Sequence, residues 1–229
     1  MGTSGACRTW RVALTATLVW GFAGGCGFPD AGFPGSPAAS PRDCVRIVMV
    51  RGLWDIFSTG LDDLNVKLIA AGYDSDAISG PDWRNAAEKL ARQYGAEGAT
   101  ETLILGGHSY GADEAIQAAK VLRGAGVDVP LLVLIDATNP GRIPPNVVRC
   151  VHFYLPNVLG QEFPSAFSGN PVEPEEGNTR TIIENLPLTP ENFGDQVATV
   201  DHFNIESNAL LHELIIARVE ELCPRDTAP

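Results

Sequence analysis

The chain has 229 residues, of which 45% are hydrophobic and 19% charged, and its formal net charge at pH 7 is −12. This length and apolar content suit one globular domain with a continuous core. The acidity argues against a nucleic-acid partner and against a surface that adsorbs to anionic lipid. The five cysteines lack zinc-type spacing, and the sequence implies no metal ion and no organic cofactor.

Residues 1–25 have the features of an export signal rather than of a folded domain. Arg8 and Arg11 give a positively charged start, and residues 12–22 form an apolar segment too short to span a bilayer comfortably. Small residues then precede Cys26, a pattern that resembles the lipobox of bacterial lipoproteins, with alanine where leucine is usual. That resemblance implies acylation of the Cys26 thiol. A plain secretory signal and an uncleaved anchor are the alternatives.

Residues 26–42 are rich in glycine, proline, serine and alanine, a composition that predicts a flexible tether. Residues 43–229 are then predicted to form one domain that a lipid anchor holds at the cell envelope. Gly27 follows the cysteine where inner-membrane retention signals usually carry aspartate, so the resemblance favours the outer membrane in a host that has one. A plain secretory signal would instead make the protein periplasmic or secreted.

In the remaining chain, apolar strand-like runs alternate with helix-like segments. The predicted strands cover 45–50, 73–78, 102–106, 130–136, 147–155 and 181–186, and the predicted helices cover 61–71, 81–94, 112–123 and 208–222. Residues 156–180 and 187–201 are predicted to be long loops, because they are rich in proline, glycine, asparagine and glutamate. The alternation predicts a doubly wound, mostly parallel α/β sheet, in which ligands lie at the carboxyl ends of the strands.

The segment Gly107-His108-Ser109-Tyr110-Gly111 carries the strongest signal for function. It has the form G-x-S-x-G and lies between an apolar strand and a helix, the context in which a nucleophile elbow raises a serine hydroxyl above the sheet. Glycines flank such a turn because Cβ atoms there would collide with the neighbouring strand and helix. An ordinary glycine-rich turn is the alternative, since the chain contains 24 glycines.

With this motif the chain resembles the α/β-hydrolase superfamily over roughly residues 44–222, and most closely its small, lidless lipase-, esterase- and thioesterase-like members. Residues 50–53 after the first strand, the G-x-S-x-G turn, Asp136 at a strand end and His202 in a late loop carry the resemblance. Serine, aspartate and histidine follow in the order that the superfamily uses. The resemblance implies an α/β-hydrolase fold without a large cap domain.

The resemblance implies a catalytic triad of Ser109 as nucleophile, His202 as general base and Asp136 as the acid that orients the imidazole. His202 lies in a loop before the last helix, where the superfamily places its base. The alternatives for the acid are Glu162, and a role for Asp136 in capping the turn at 138–140.

The other three histidines are expected to have different roles. His108 is the variable residue of the elbow and is expected to point away from Ser109. His152 lies within a strand, where a hydrogen-bonded core residue is expected, and His212 is expected to be partly exposed on the last helix.

An acyl-transferring serine also needs two backbone N–H donors for the oxyanion. Tyr110, which follows the nucleophile, is predicted to supply one, and Leu53 in the loop after the first strand is predicted to supply the other. The superfamily usually has His-Gly before this position, whereas this chain has Arg51-Gly52. Four aromatic residues either line an acyl pocket or pack in the core: Trp54, Phe57, Tyr110 and Phe203.

These residues predict a serine hydrolase that cleaves a carboxylic ester, in a small molecule or a lipid, through an acyl-enzyme. A thioester is the alternative bond. An inactive hydrolase-fold binding lipoprotein and a hydrolase of membrane lipid head-group esters are the alternative functions. The sequence leaves the natural substrate, the acyl-chain length and the oligomeric state open.

Three cysteines fall in the predicted domain, and their pairing is open. Cys44 in the first strand and Cys223 after the last helix form one candidate disulfide, while Cys150 is expected to be a small buried residue in an apolar strand.

Overall fold

Six parallel strands form a single sheet in the computed structural model of the protein. The strands are β1 (Arg42–Val50), β2 (Tyr73–Ile78), β3 (Thr102–His108), β4 (Val129–Ile135), β5 (Val147–Tyr154) and β6 (Ile182–Pro187). Their spatial order is β2-β1-β3-β4-β5-β6, and every neighbouring pair is parallel. The predicted doubly wound sheet is confirmed, and it is wholly rather than mostly parallel.

The structure describes residues 42–52, 59–95, 101–156 and 169–224, which belong to one unit. The predictions for the signal, for the tether before residue 42, for Cys26, for Leu53 and for Glu162 fall outside these residues. Among the residues described, no helix is long and apolar enough to cross a membrane.

Helices cover both faces of the sheet, and alternate side chains of each strand pack against the helices on opposite faces. The helices are α1 (Gly60–Ala70), α2 (Trp83–Tyr94), α3 (Tyr110–Gly124), α4 (Pro190–Phe193) and α5 (Ala209–Leu222). Val48 and Val50 pack with α2 and α3, whereas Ile47 and Met49 pack with α1 and α5. Successive side chains of a strand point to opposite faces, so a strand covered on both sides is apolar throughout.

The structure has the α/β-hydrolase fold. Within the described residues, no cap domain covers the carboxyl ends of the strands. One predicted loop is wrong: residues 187–201 contain α4 and a 3₁₀ turn at Gly194–Val197. Pro190 opens α4, and proline fits the first helical position because that N–H has no partner inside a helix.

A disulfide joins β1 to the residue that ends α5. It links Cys44 to Cys223, whose Cα atoms are 6.1 Å apart, across a sequence separation of 179 residues. The Tyr73 hydroxyl donates to the Cys223 carbonyl at 3.3 Å. Cys150 is free and buried, as expected. The structure therefore selects one pairing from those that the sequence left open.

Candidate active site

Ser109 lies between the end of β3 and the start of α3, and its backbone is strained. Its φ is 59° and its ψ is −127°, a conformation that is uncommon for residues other than glycine. The Ser109 N–H donates to the Ile135 carbonyl at 2.9 Å, which ties the turn to the end of β4. Strain of this kind persists only where the surrounding packing holds it.

The glycines on either side of Ser109 are required by close backbone contacts. A Cβ atom on Gly107 would lie 2.3 Å from the Gly111 carbonyl oxygen, and a Cβ atom on Gly111 would lie 2.2 Å from the Val50 carbonyl oxygen. Both distances are far below van der Waals contact. With the positive φ of Ser109, they give the turn the geometry of a nucleophile elbow rather than of an ordinary turn.

Ser109, His202 and Asp136 form a continuous hydrogen-bonded chain. The Ser109 Oγ lies 2.9 Å from the His202 Nε2, and the His202 Nδ1 lies 2.7 Å from the Asp136 Oδ2. A carboxylate only accepts, so the Nδ1–H donates to Asp136 and leaves Nε2 free to accept from the serine hydroxyl. The structure thus brings together the three residues that the sequence singled out.

The Asp136 carboxylate is buried and fixed on both oxygens. Its Oδ2 accepts from His202, its Oδ1 accepts from the Leu155 N–H at 3.0 Å, and its backbone φ is 42°. The Asp136 N–H donates to the Phe153 carbonyl at 2.7 Å. A carboxylate held in this way orients the imidazole ring. The carboxylate bonds to His202 and Leu155, and not to the turn at 138–140 that the capping alternative requires.

Asp113, in the first turn of α3, caps that turn instead. Its Oδ2 accepts from the Thr138 hydroxyl at 2.6 Å and from the Asn139 N–H at 3.0 Å. Burial raises the pKa of the Asp113 carboxyl. The contact joins α3 to the segment directly after Asp136, across 25 residues of sequence, so the pattern of either segment alone gave no sign of it.

Removal of the Asp113 carboxylate is expected to lower stability. In Asp113→Ala the buried Thr138 hydroxyl and the Asn139 N–H lose their partner, which should cost about 1–3 kcal/mol in the free energy of unfolding. Urea denaturation of the purified variant measures this loss. Asp113→Asn is the matched control, because its side-chain oxygen still accepts one hydrogen bond, and it should lose less. Equal losses in the two variants would contradict the capping role.

One expectation for the remaining histidines is wrong, and one contact is new. His108 is 1% exposed, and its Nε2 lies 3.0 Å from the His202 carbonyl oxygen, a contact that the sequence did not predict. His212 is buried rather than partly exposed, because its ring nitrogens contact the Glu206 carbonyl at 2.6 Å and the Lys67 ammonium at 2.8 Å. The contacts of His108 with His202 and of His212 with Lys67 join segments far apart in the sequence, so helical and strand periodicity did not reveal them.

His152 is a core residue, as the sequence indicated. It is fully buried, its Nε2 accepts from the Ala137 N–H at 3.4 Å, and its ring stacks on Tyr154 with centroids 5.1 Å apart. Burial lowers its pKa to about 4. His152 therefore helps to hold the segment after Asp136 by accepting the Ala137 N–H.

Buried neutral histidines make the fold sensitive to acid. Burial, with the neighbouring His202, lowers the pKa of His108 to about 4, and burial lowers that of His152 to about 4. Between about pH 6.5 and pH 4 the unfolded chain therefore binds protons that the folded chain does not, and stability falls as the pH falls. Each histidine should contribute a loss on the order of 3 kcal/mol by pH 4.

Two buried carboxyls oppose this loss. Burial raises the pKa of Asp113 and Glu206, so the folded chain takes up their protons first as the pH falls. Urea denaturation at pH 7.5, 5.5 and 4.5 should still show falling stability, with a shallower slope in His152→Gln. A free energy of unfolding that stays constant from pH 7.5 to 4.5 would contradict this expectation.

One of the two predicted oxyanion donors lies in the described part of the chain. Tyr110 is the first residue of α3, and the first N–H groups of a helix have no acceptor within the helix. Leu53 lies outside the described residues. The Arg51 N–H before it donates to the Ile78 carbonyl at 3.0 Å, and the Arg51 guanidinium pairs with Asp62 in α1. The arginine is thus bound to α1.

Two aromatic side chains are exposed next to the hydrogen-bonded chain. Tyr110 follows Ser109 and is 37% exposed, and Phe203 follows His202 and is 50% exposed. The Phe203 ring meets the His202 ring edge-on, with centroids 5.5 Å apart. Core packing therefore does not account for these two aromatics. Trp54 and Phe57 lie outside the described residues. Among the residues described, no group of three His, Cys, Asp or Glu side chains is placed to hold a metal ion.

Comparisons with known proteins find only weak likenesses. No protein-family model and no curated protein matches the chain. Among solved structures, a lidless α/β serine hydrolase from Xanthomonas campestris is 14% identical with a TM-score of 0.44, and the match covers 85% of this chain and 88% of that one. A metagenomic carboxyl esterase is 18% identical with a TM-score of 0.31, and the match covers 47% of this chain and 36% of that one. This chain thus spans little more than a third of the esterase, and the likenesses do not establish a family.

Proposed function

We propose that this protein is a serine hydrolase that cleaves a carboxylic ester through an acyl-enzyme. The observation that carries the proposal is the chain from Ser109 Oγ through His202 to the Asp136 carboxylate, with bonds of 2.9 Å and 2.7 Å. A serine hydroxyl is a weak nucleophile unless a base removes its proton as it attacks. His202 is placed to act as this base, and the buried Asp136 carboxylate orients it.

The reaction proceeds in two halves. In the first, His202 Nε2 takes the Ser109 proton, the serine oxygen attacks the ester carbonyl carbon, and the resulting imidazolium gives its proton to the leaving alcohol. In the second, His202 takes a proton from water, whose oxygen attacks the acyl carbon, and the proton returns to Ser109 as the acid leaves. Asp136 stabilises the imidazolium in both halves without taking its proton.

The Tyr110 N–H is the donor that we propose for the oxyanion formed in each half, with Leu53 as the second donor. Tyr110 begins α3, so the positive end of the helix dipole adds to the attraction for the developing negative charge. Removal of one such donor typically lowers kcat by about 10²–10³-fold.

The scarcity of cations in the segments that follow the strands favours an uncharged ester over a coenzyme A thioester. The segments between each strand end and the next helix or strand contain only three arginines and no lysine. Each arginine is paired with an acid: Arg51 with Asp62, Arg142 with Glu173 and Arg180 with Asp128. No unpaired cation among these residues is available for phosphate groups. We therefore expect a higher kcat/KM for a short-chain p-nitrophenyl ester than for the matching acyl-coenzyme A.

We also propose that a lipid on Cys26 holds the domain at the cell envelope, with the outer membrane favoured. The support is the signal-like sequence of residues 1–25 and the lipobox-like residues before Cys26. Metabolic labelling with a fatty-acid probe, with Cys26→Ser as the control, tests the anchor. Activity that rises on lipid dispersions but not on soluble esters would favour lipid head-group esters as the substrate.

Covalent labelling with a fluorophosphonate tests the proposed chemistry directly. The reagent reacts with serines that a base activates, and mass spectrometry of the digested protein locates the adduct. We expect the adduct on Ser109, its loss in His202→Ala and a large reduction in Asp136→Asn. A folded protein without an adduct would overturn the proposal and leave an inactive binding protein as the better description.

A further inference from the structure

His108 is a buried side chain that the proposed reaction does not use. It ends β3 directly before Ser109, and it is 1% exposed. Its Nε2 lies 3.0 Å from the His202 carbonyl oxygen, and the centroids of the two rings are 5.2 Å apart. The residue beside the nucleophile thus contacts the backbone of the base, across 94 residues of sequence.

We propose that His108 is a positioning residue, which holds His202 in line with Ser109 and Asp136 by donating a hydrogen bond to the His202 carbonyl. The catalytic consequence of this contact rests on the proposed function, whereas the contact itself does not. His108 does not touch the reacting atoms. It acts through the placement of the residue that does.

The turn that carries His202 has internal bonds, but these fix its shape rather than its position on the sheet. The Phe203 N–H donates to the Asp201 carboxylate at 2.8 Å, and the Asp201 N–H donates to the Asn204 side chain at 2.9 Å. All three residues belong to the same turn. The bonds from His202 to Asp136 and from His108 to His202 join the turn to the ends of β4 and β3.

The strand register places His108 on a rigid part of the sheet. His108, the last residue of β3, pairs with Ile135, the last residue of β4, and Asp136 follows Ile135 directly. Groups on central strands are held more precisely than groups on loops. His202 is therefore held through its ring, by Asp136 and Ser109, and through its carbonyl, by His108.

The hydrogen bond also defines the protonation state of His108. A carbonyl oxygen only accepts, so the proton of the neutral ring lies on Nε2. Burial and the adjacent His202 lower the pKa of His108 to about 4, so the ring is uncharged at neutral pH. An uncharged neighbour does not repel the imidazolium that forms on His202 during the proposed reaction.

Two variants separate this role from simple packing. His108→Leu fills much of the same space but has no donor, whereas His108→Gln can place an N–H near the position of the imidazole Nε2. With p-nitrophenyl acetate, we expect His108→Leu to lower kcat by about 10–100-fold, with KM within a factor of two. We expect His108→Gln to recover most of that loss. Circular dichroism and thermal melts verify that both variants are folded.

A second measurement does not depend on turnover. In ¹⁵N NMR spectra of the histidine side chains, the unmodified protein should show His108 as the Nε2–H tautomer. The downfield proton of the bond from His202 to Asp136 should be broadened or lost in His108→Leu and retained in His108→Gln.

The two measurements together decide the inference. An unchanged kcat in folded His108→Leu, or equal losses in the two variants, would overturn it, as would an Nδ1–H tautomer of His108. If the unmodified protein neither turns over esters nor labels at Ser109, the proposed function fails. The NMR signal of His202 then decides on the positioning role alone.

Discussion

Replacement of Ser109 by alanine is expected to lower kcat/KM for a soluble ester by about 10⁴-fold or more. The alanine has no oxygen to attack the carbonyl, so the acyl-enzyme cannot form. Ser109 is 6% exposed, and its bond to His202 is the contact that the variant removes. Stability should therefore change little. Initial rates with p-nitrophenyl acetate, and a thermal melt of each protein, measure both effects.

The proposed triad also predicts how combined variants behave. His202→Ala should match Ser109→Ala, and the double variant should be no slower than either, because residues that act as one unit are not additive. Asp136→Asn should lower kcat by about 10⁴-fold, since an amide at this position favours the wrong tautomer of the base. A Ser109→Ala protein that retains its rate would show that the hydrolysis arises elsewhere.

Loss of the disulfide is expected to lower the free energy of unfolding more than loss of the Asp113 carboxylate does. The bond between Cys44 and Cys223 closes a loop with a sequence separation of 179 residues. The chain-entropy relation gives a stabilisation of about 5 kcal/mol for a loop of this length, although measured values are often smaller. The double variant Cys44→Ser/Cys223→Ser should therefore melt roughly 10 °C lower.

Reduction provides the matched comparison. Dithiothreitol should lower the melting temperature of the unmodified protein toward that of the double variant, and it should leave the double variant unchanged. Cys150→Ala is the control for a cysteine outside the bond, since Cys150 is free. If reductant leaves the melting temperature of the unmodified protein unchanged, the bond adds little to stability.

Much of the fold could be predicted because its signals are local. The central strands of a sheet covered on both faces are short, largely apolar runs, and β4 is a continuous example. Ser109 was found from a motif whose glycines meet specific steric limits, and these are visible in five letters of sequence. Asp136 and His202 are predicted from the resemblance to the superfamily, which implies their order along the chain and their places at a strand end and in a late loop.

The supporting contacts could not be predicted because they join residues distant in sequence. His108 contacts His202 across 94 residues, and His212 contacts Lys67 across 145. A pattern with a period of two or of 3.6 residues records which face of an element is buried, but it does not record the partner. The exposure of His212 was mispredicted for this reason: position in a helix does not reveal that its polar atoms have buried partners.

The disulfide also determines how the domain responds to a pulling force. A load applied to the segment before β1 reaches Cys44 near the start of that strand, and there the covalent bond shares it with Cys223 at the end of α5. β1 cannot be peeled from the sheet beyond Cys44 without dragging α5 from its face as well. If residues 26–42 tether the domain to a membrane, a pulling force thus enters the domain next to a covalent cross-link.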